Sequence, residues 1–428
     1  MGEDRTSASP AAVGPAGRFL VDAAGRRVFL LADTAWELFH RWTREQTARY
    51  LAARSRQGFN AVMAVLLAEL DGLATPTPEG LRPLIGNDPA RPAAAYFDEA
   101  EARVAEMNRL GLTAVLLPAW GDKVTLGWGV GPVVFDAGNA AAYGDFLARR
   151  FAGRGVIWML GGDRHADAPA DRRVWEAMAA AIRGAGDRRL ITWHPPGGRS
   201  SSAWFPDAAW LDFHSLQTGH TGRQAPIEAA VAADRALRPA KPVWNAEPCY
   251  EAHPVMRMHR GGWKPAGGFF DEHDVRDAAW RSAFSGACGH AYGCHSVWQA
   301  YEPEGPRATE PVNFPGDAWH RQLALPGAEQ MRHLAAFMAE HEDWEPLDPG
   351  HAGDLPALRS ASGKEVAVYA MKALPIAYRR RQLEGLAARV GVSPRRWLDP
   401  RTGRETPAEP GRSADGPDPS RDAVLRLA

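Results

Sequence analysis

Short apolar runs recur along the chain and alternate with segments whose apolar positions repeat at helical spacing. Val28–Ala32, Asn60–Leu67, Leu112–Pro118, Val156–Leu160, Leu190–Trp193, Leu211–Leu216, Pro242–Asn245 and Gly289–Trp298 read as strands. Thr43–Gln57, with Thr43 as N-cap and Gly58 as stop, reads as a helix. So do Tyr96–Leu110, Ala140–Phe151, Arg172–Arg183, Ile227–Leu237, Asp274–Ala287 and Ala318–Glu340. Strands apolar on every residue must be buried on both faces, which implies a parallel sheet covered by helices. Eight such units predict an α/β fold, a (β/α)8 TIM barrel, over residues 18–344. An open doubly wound sheet is the alternative, but no Gly-rich phosphate loop follows the first strand. The fifth unit shows no clear helix after HPPGGRSSSAWF.

Residues 1–17 are small and polar and read as a disordered tail, followed by a hairpin turning at Ala24-Gly25. Beyond about residue 345 the texture changes. EVAVYAM reads as a strand, WLDPRTGRE as a strand and tight turn, Tyr378–Val390 as a basic helix or loop, and residues 345–428, whose Pro-, Gly-, Ser- and Asp-rich tail closes with AVLRLA, as a small β-rich C-terminal domain.

Composition removes several classes of function. The 50 Lys and Arg nearly balance the 51 Asp and Glu, and no dense charge block offers a footprint for nucleic acid. No apolar run is long enough to span a bilayer. Three cysteines, Cys249, Cys288 and Cys294, are too few and too odd for a disulfide framework. With an N-terminal MGEDRTSASPAAVGPAG that lacks a signal-peptide core, they point to a cytoplasmic protein. Nothing in the pattern sets an oligomeric state. Sixteen tryptophans, many beside Gly, Asp, His or Glu at strand ends, suit sugar binding as well as core packing.

In such a barrel, chemistry belongs at the carboxyl ends of the strands. Those ends carry Asp33, Thr34, Trp36 and Glu37; Glu69 and Asp71; Trp120 and Asp122; Asp163, Arg164 and His165; His194; His214, Gln217 and His220; Glu247, Tyr250 and Glu251; and His295, Trp298 and Gln299. Glycoside hydrolysis needs two carboxyl groups from different strands. Asp163, preceded by Gly161-Gly162, and Glu247, between Ala246 and Pro248, are the candidate pair. An N-cap for Asp163 and a buried ion pair for Glu247 are the structural alternatives. Trp36, Trp120 and Trp298 are candidate walls. Asp33, His194, His214, Tyr250 and Glu251 are candidates for substrate contact, the first four also for orienting Glu247. A metal-dependent hydrolase built on His165, His194, His214 and His220 is a competing reading, although no HxH follows strand one and no HExxH occurs. A catalytically silent carbohydrate-binding barrel is another. No metal or other cofactor is expected.

The runs LLADTAWELF, GFNAVMAVL, VIWMLGGDRH, KPVWNAEPCYE and HAYGCHSVWQ, in this order, resemble the apiosidase-like glycoside hydrolases over roughly residues 17–340. That family corresponds to glycoside hydrolase family 140, once catalogued as a domain of unknown function with a C-terminal domain called collagen-binding, which WLDPRTG resembles. The resemblance implies hydrolysis with retention, with Asp163 as acid/base and Glu247 as nucleophile, on an apiose-bearing or related oligosaccharide or plant glycoside.

Overall fold

A computed structural model describes residues 9–259, 262–340, 343–347, 355–408, 418 and 420–428. Eight strands form the barrel: β1 Leu30–Thr34, β2 Ala61–Val65, β3 Thr113–Leu117, β4 Val156–Gly161, β5 Ile191–His194, β6 His214–Gln217, β7 Val243–Asn245 and β8 Gly289–Tyr292. Parallel ladders run from β5 through β4, β3, β2, β1, β8 and β7 to β6. Looser bonds join β5 to the β6 segment. Asp212 N–H donates to Ile191 O at 2.9 Å, and Thr192 Oγ1 donates to Phe213 O at 2.7 Å. The helices are α1 Arg44–Arg56, α2 Ala94–Arg109, α3 Ala137–Arg150, α4 Pro169–Gly184, α5 Ile227–Arg235, α6 Glu272–Phe284 and α7 Pro326–Glu340. No helix follows β5. A short strand, Arg199–Ser200, pairs antiparallel with β6 instead, then a 3-10 turn. A hairpin the sequence did not announce, Pro254–His259 with Gly262–Phe269, lies between β7 and α6.

Alternation along each strand divides the core in two. Leu30, Ala32, Met63, Val115, Ile157, Met159 and Trp244 fill the barrel. Leu31, Val62, Leu116, Trp158, Ile191 and Leu216 meet the helices. This parity corrects the expectation for Asp33. One residue past Ala32, it points outward, fully buried, and pairs with Arg54 of α1 (Nε at 2.6 Å) and Tyr50 OH (2.5 Å). Asp33 locks β1 to α1 on the outer face of the barrel.

Local signals place the helices. Thr43 and Gln46 form a capping box on α1, and Gly58 takes φ 85° just past its end. The expected helix Ala318–Glu340 is broken into Trp319–Gln322 and α7, because Pro326 cannot donate and disfavours helix before it. β8 ends at Tyr292, short of the expected Trp298, and the chain turns into a short helix, His295–Trp298. At the turn a Cβ on Gly293 would lie 2.1 Å from the Tyr250 ring. Residues 9–17, expected within the tail, contain a strand at Ala12–Val13 paired to Leu20–Val21; residues 1–8 lie outside the described part.

From Glu345 onward an antiparallel six-stranded sheet is backed by α8, Ile376–Val390. Arg276 of α6 reaches its last strand, donating to Asp422 at 2.8 and 2.7 Å. No helix among the described residues is long and apolar enough to cross a membrane.

Removing Arg54 strands a carboxylate that has no water. Arg54→Ala is expected to cost about 3–5 kcal/mol in urea unfolding; a loss under about 1 kcal/mol would contradict the assignment of Asp33 to the core.

Candidate active site

The end of β4 is shaped by two glycines. At Gly161 (φ 87°) a Cβ would lie 2.6 Å from His194 O and 2.8 Å from Trp193 Nε1. At Gly162 (φ 135°) it would lie 2.5 Å from Gly121 N. Only glycine lets the chain pass between β5 and the loop after β3. Asp163 follows with φ 56°, a left-handed conformation that Asp tolerates better than most residues. The bend re-aims its side chain, which stays half-buried and open on one side.

His194, at the end of β5 and fully buried, joins Asp163 to Glu247. The Asp163 N–H donates to Nδ1 at 3.3 Å. Nε2 lies 2.9 Å from Glu247 Oε2. With Nδ1 accepting, the ring proton belongs on Nε2, facing the carboxyl. A second imidazole, His220, bonds to Glu247 Oε1 through Nε2 at 3.0 Å. Glu247 is 6% exposed.

The two carboxyls are held far apart in acidity. Burial pushes Asp163 up, the Glu247 charge pushes it further, and its carboxyl sits at about 6. Burial also raises Glu247, but the contacts of His194 and His220 outweigh it and hold that carboxyl down at about 2. Trp128 Nε1 donates to Asp163 Oδ2 at 3.1 Å, which leaves Oδ1 to carry the acid's proton.

Trp36 and Trp120, each 3% exposed, pack around the His194 ring with centroids 5.5 Å away. Tyr250 stands 4.5 Å from the His220 ring, and Trp298 closes the same interior cluster. The indole nitrogens of Trp120 and Trp298 are buried and have no hydrogen-bond partner among the described residues.

Two other expected contacts, His214 and Glu251, are corrected, while His194, expected either to touch substrate or to orient Glu247, is fully buried between the two acids. His214 begins β6, at the strand's amino end, and points outward against Ser201 (3.2 Å). Burial pushes its imidazole down to about 4. Glu251 is 3% exposed and anchors α7, accepting from Gly327 N at 3.0 Å and Tyr292 OH at 2.5 Å.

Of the remaining site residues only Trp128, from the GWGVG loop, was not singled out beforehand; His220, from the TGHTG loop, stood among the strand-end residues and in the metal reading. Arg164 stacks on the Trp128 ring at 4.1 Å. Glu69, half-buried, is a third acid near Asp163; burial, then the charges of Asp163 and Asp122, lift it to about 8. Strand-end position was the available signal for Glu69, Arg164 and His220; Trp128, inside its loop, gave none. Among the described residues no three His, Cys, Asp or Glu side chains converge as metal ligands.

The family model "Apiosidase-like, catalytic domain" matches residues 15–345. A solved structure titled glycoside hydrolase is 24% identical, with TM-score 0.78 over 98% of this chain and 97% of that one. A glycoside hydrolase family 5 protein from Bacteroides vulgatus is 25% identical, with TM-score 0.78 over 98% and 92%. A family 5 mannosidase from Rhizomucor miehei, 11% identical with TM-score 0.51 over 78% and 99%, shares the fold alone. No curated protein matches the sequence.

A carboxyl raised from 3.8 to about 6 weakens the fold once it must ionise. Below its ordinary value it is protonated folded or unfolded and costs nothing; above about 6 the full penalty applies. Asp163→Asn is therefore expected to stabilise the protein by about 1–3 kcal/mol at pH 7.5, and hardly at all at pH 3, in urea unfolding. Equal stability at both pH values would contradict the raised acidity constant.

Proposed function

The chain belongs to the apiosidase-like family of glycoside hydrolases, and from that membership we propose that it cleaves its carbohydrate substrate with retention, using Asp163 as acid/base and Glu247 as nucleophile. The observation that carries this reading is the single imidazole of His194. It touches the backbone of one acid and the carboxyl of the other, on opposite ring nitrogens. The two residues are thereby held side by side, and their acidities are split in the sense the reaction needs.

In the first step a Glu247 oxygen attacks the anomeric carbon. The bond to the leaving oxygen breaks, and that oxygen takes the proton from Asp163. This yields a glycosyl ester on Glu247 and an ionised Asp163. In the second step Asp163 removes a proton from water as the water oxygen attacks the same carbon. The ester bond breaks, Glu247 returns as a carboxylate, and the sugar leaves with its original configuration. His220 and His194 hold the Glu247 oxygens in place. Retention asks that the carboxyls stand about 5–5.5 Å apart. Tyr250, Trp36, Trp120 and Trp298 are the proposed sugar contacts. The family resemblance supports an apiose-bearing or related oligosaccharide or plant glycoside as substrate. The barrel, residues 18–344, would carry the reaction, with residues 345–428 as a separate β-rich domain.

Asp163→Ala and Glu247→Ala should each reduce turnover of an activated aryl glycoside at least about a hundredfold. Azide should rescue both, giving glycosyl azides of opposite anomeric configuration. Undiminished turnover in either variant would remove that residue from the reaction.

Because Asp163 acts protonated and Glu247 ionised, kcat/KM should fall as pH rises past about 6. It should keep its plateau on the acid side until about 2, wherever the fold survives. A profile rising from pH 6 to 8 would contradict the need for a protonated Asp163.

A further inference from the structure

Exposed apolar side chains are concentrated on one rim loop. Among the described residues, Leu126 (65% exposed), Trp128 (48%), Val130 (56%) and Val133 (47%) all lie between β3 and α3. The loop is built rather than loose. Gly131 N donates to Asp122 Oδ2 at 2.8 Å, and that carboxylate is also paired with Lys123 (2.9 Å), both residues fully buried. Val134 N donates to Lys123 O at 2.9 Å, closing the base of the loop. Arg164 donates to Trp128 O and covers the Trp128 ring.

The indole is thereby fixed against the acid. Its N–H is occupied by Asp163 Oδ2, so it has none to offer a sugar hydroxyl. The loop's other exposed large side chains, Leu126, Val130 and Val133, are aliphatic. The guanidinium draws electron density from the ring, so the open face favours an electron-rich aromatic partner. Whatever is attached to the leaving oxygen must sit beside the group that protonates it. Trp128 touches that group, and none of its hydrogen bonds or ring contacts is to Glu247, His220 or Tyr250.

From this placement we infer that the loop is the leaving-group subsite, and that it accepts a phenolic, planar aromatic aglycone in preference to a second sugar. The inference rests on the assignment of Asp163 as the acid. It names the substrate class as aryl glycosides whose aromatic ring stacks on Trp128, with Leu126 and Val130 beside it.

Binding of 2-naphthol, measured by isothermal titration calorimetry, reads the subsite without any turnover. Wild type should bind it. Leu126→Ser/Val130→Ser, which leaves Asp163 and Trp128 intact, should raise Kd roughly tenfold, and Trp128→Ala by at least as much. Glu247→Gln should bind as wild type does. These side chains are exposed, so the variants should keep the wild-type far-UV circular dichroism spectrum. Equal affinity in wild type and the double variant would overturn the subsite. So would a wild-type dimer, seen by sedimentation, that the double variant turns into a monomer, since the loop would then be a contact between copies. Glycoside turnover without naphthol binding overturns the subsite alone. Naphthol binding with full turnover in Glu247→Ala overturns the proposed nucleophile and leaves the apolar subsite standing.

Discussion

His194 stands where three demands meet, and its position determines what both acids can do. Its Nδ1 takes the Asp163 amide proton and its Nε2 faces Glu247, so rotating the ring would break both contacts at once. Trp36 and Trp120 pack against the ring and oppose that rotation. The glycines at 161 and 162 exist because β4 must pass within contact of the His194 and Gly121 backbones to bring Asp163 there. The same crowding raises Asp163 by burial and sets Glu247 beside two imidazoles. The opposed acidities thus follow from one packing arrangement.

Much of this was legible from residue order, and what was missed has a physical cause. The eight strands and the strand-end position of Asp163 and Glu247 followed from apolar runs ending in GGD and AEP. The roles of Asp33 and His214 did not. Strands buried on both faces carry no polar alternation, so LLADT does not announce which residues point inward. One step of parity sent Asp33 to Arg54 and His214 to Ser201. Glu251 stands only four residues after Glu247 in the sequence, yet it caps α7. That partner lies 76 residues on and could not be inferred from spacing.

Loop residues were the least legible. Trp128 and His220 sit in glycine-rich turns with no periodicity, and their contacts with Asp163 and Glu247 depend on tertiary closure. The loop carrying Trp128 also concentrates exposed apolar surface beside the acid, where an unselective barrel would gain solubility from polar residues. In the proposed reaction, specificity and acid catalysis would meet at one indole, whose edge hydrogen-bonds to Asp163.

The central claim is that packing around His194 splits the acidities of the two carboxyls. Carbon-13 NMR titration of the aspartate and glutamate carboxyls, assigned with Asp163→Asn and Glu247→Gln, measures it directly. The account predicts that Asp163 titrates near 6 and Glu247 near 2, with Asp163 falling when Glu247 is neutralised. Two carboxyls titrating together near 4, each indifferent to loss of the other, would contradict it.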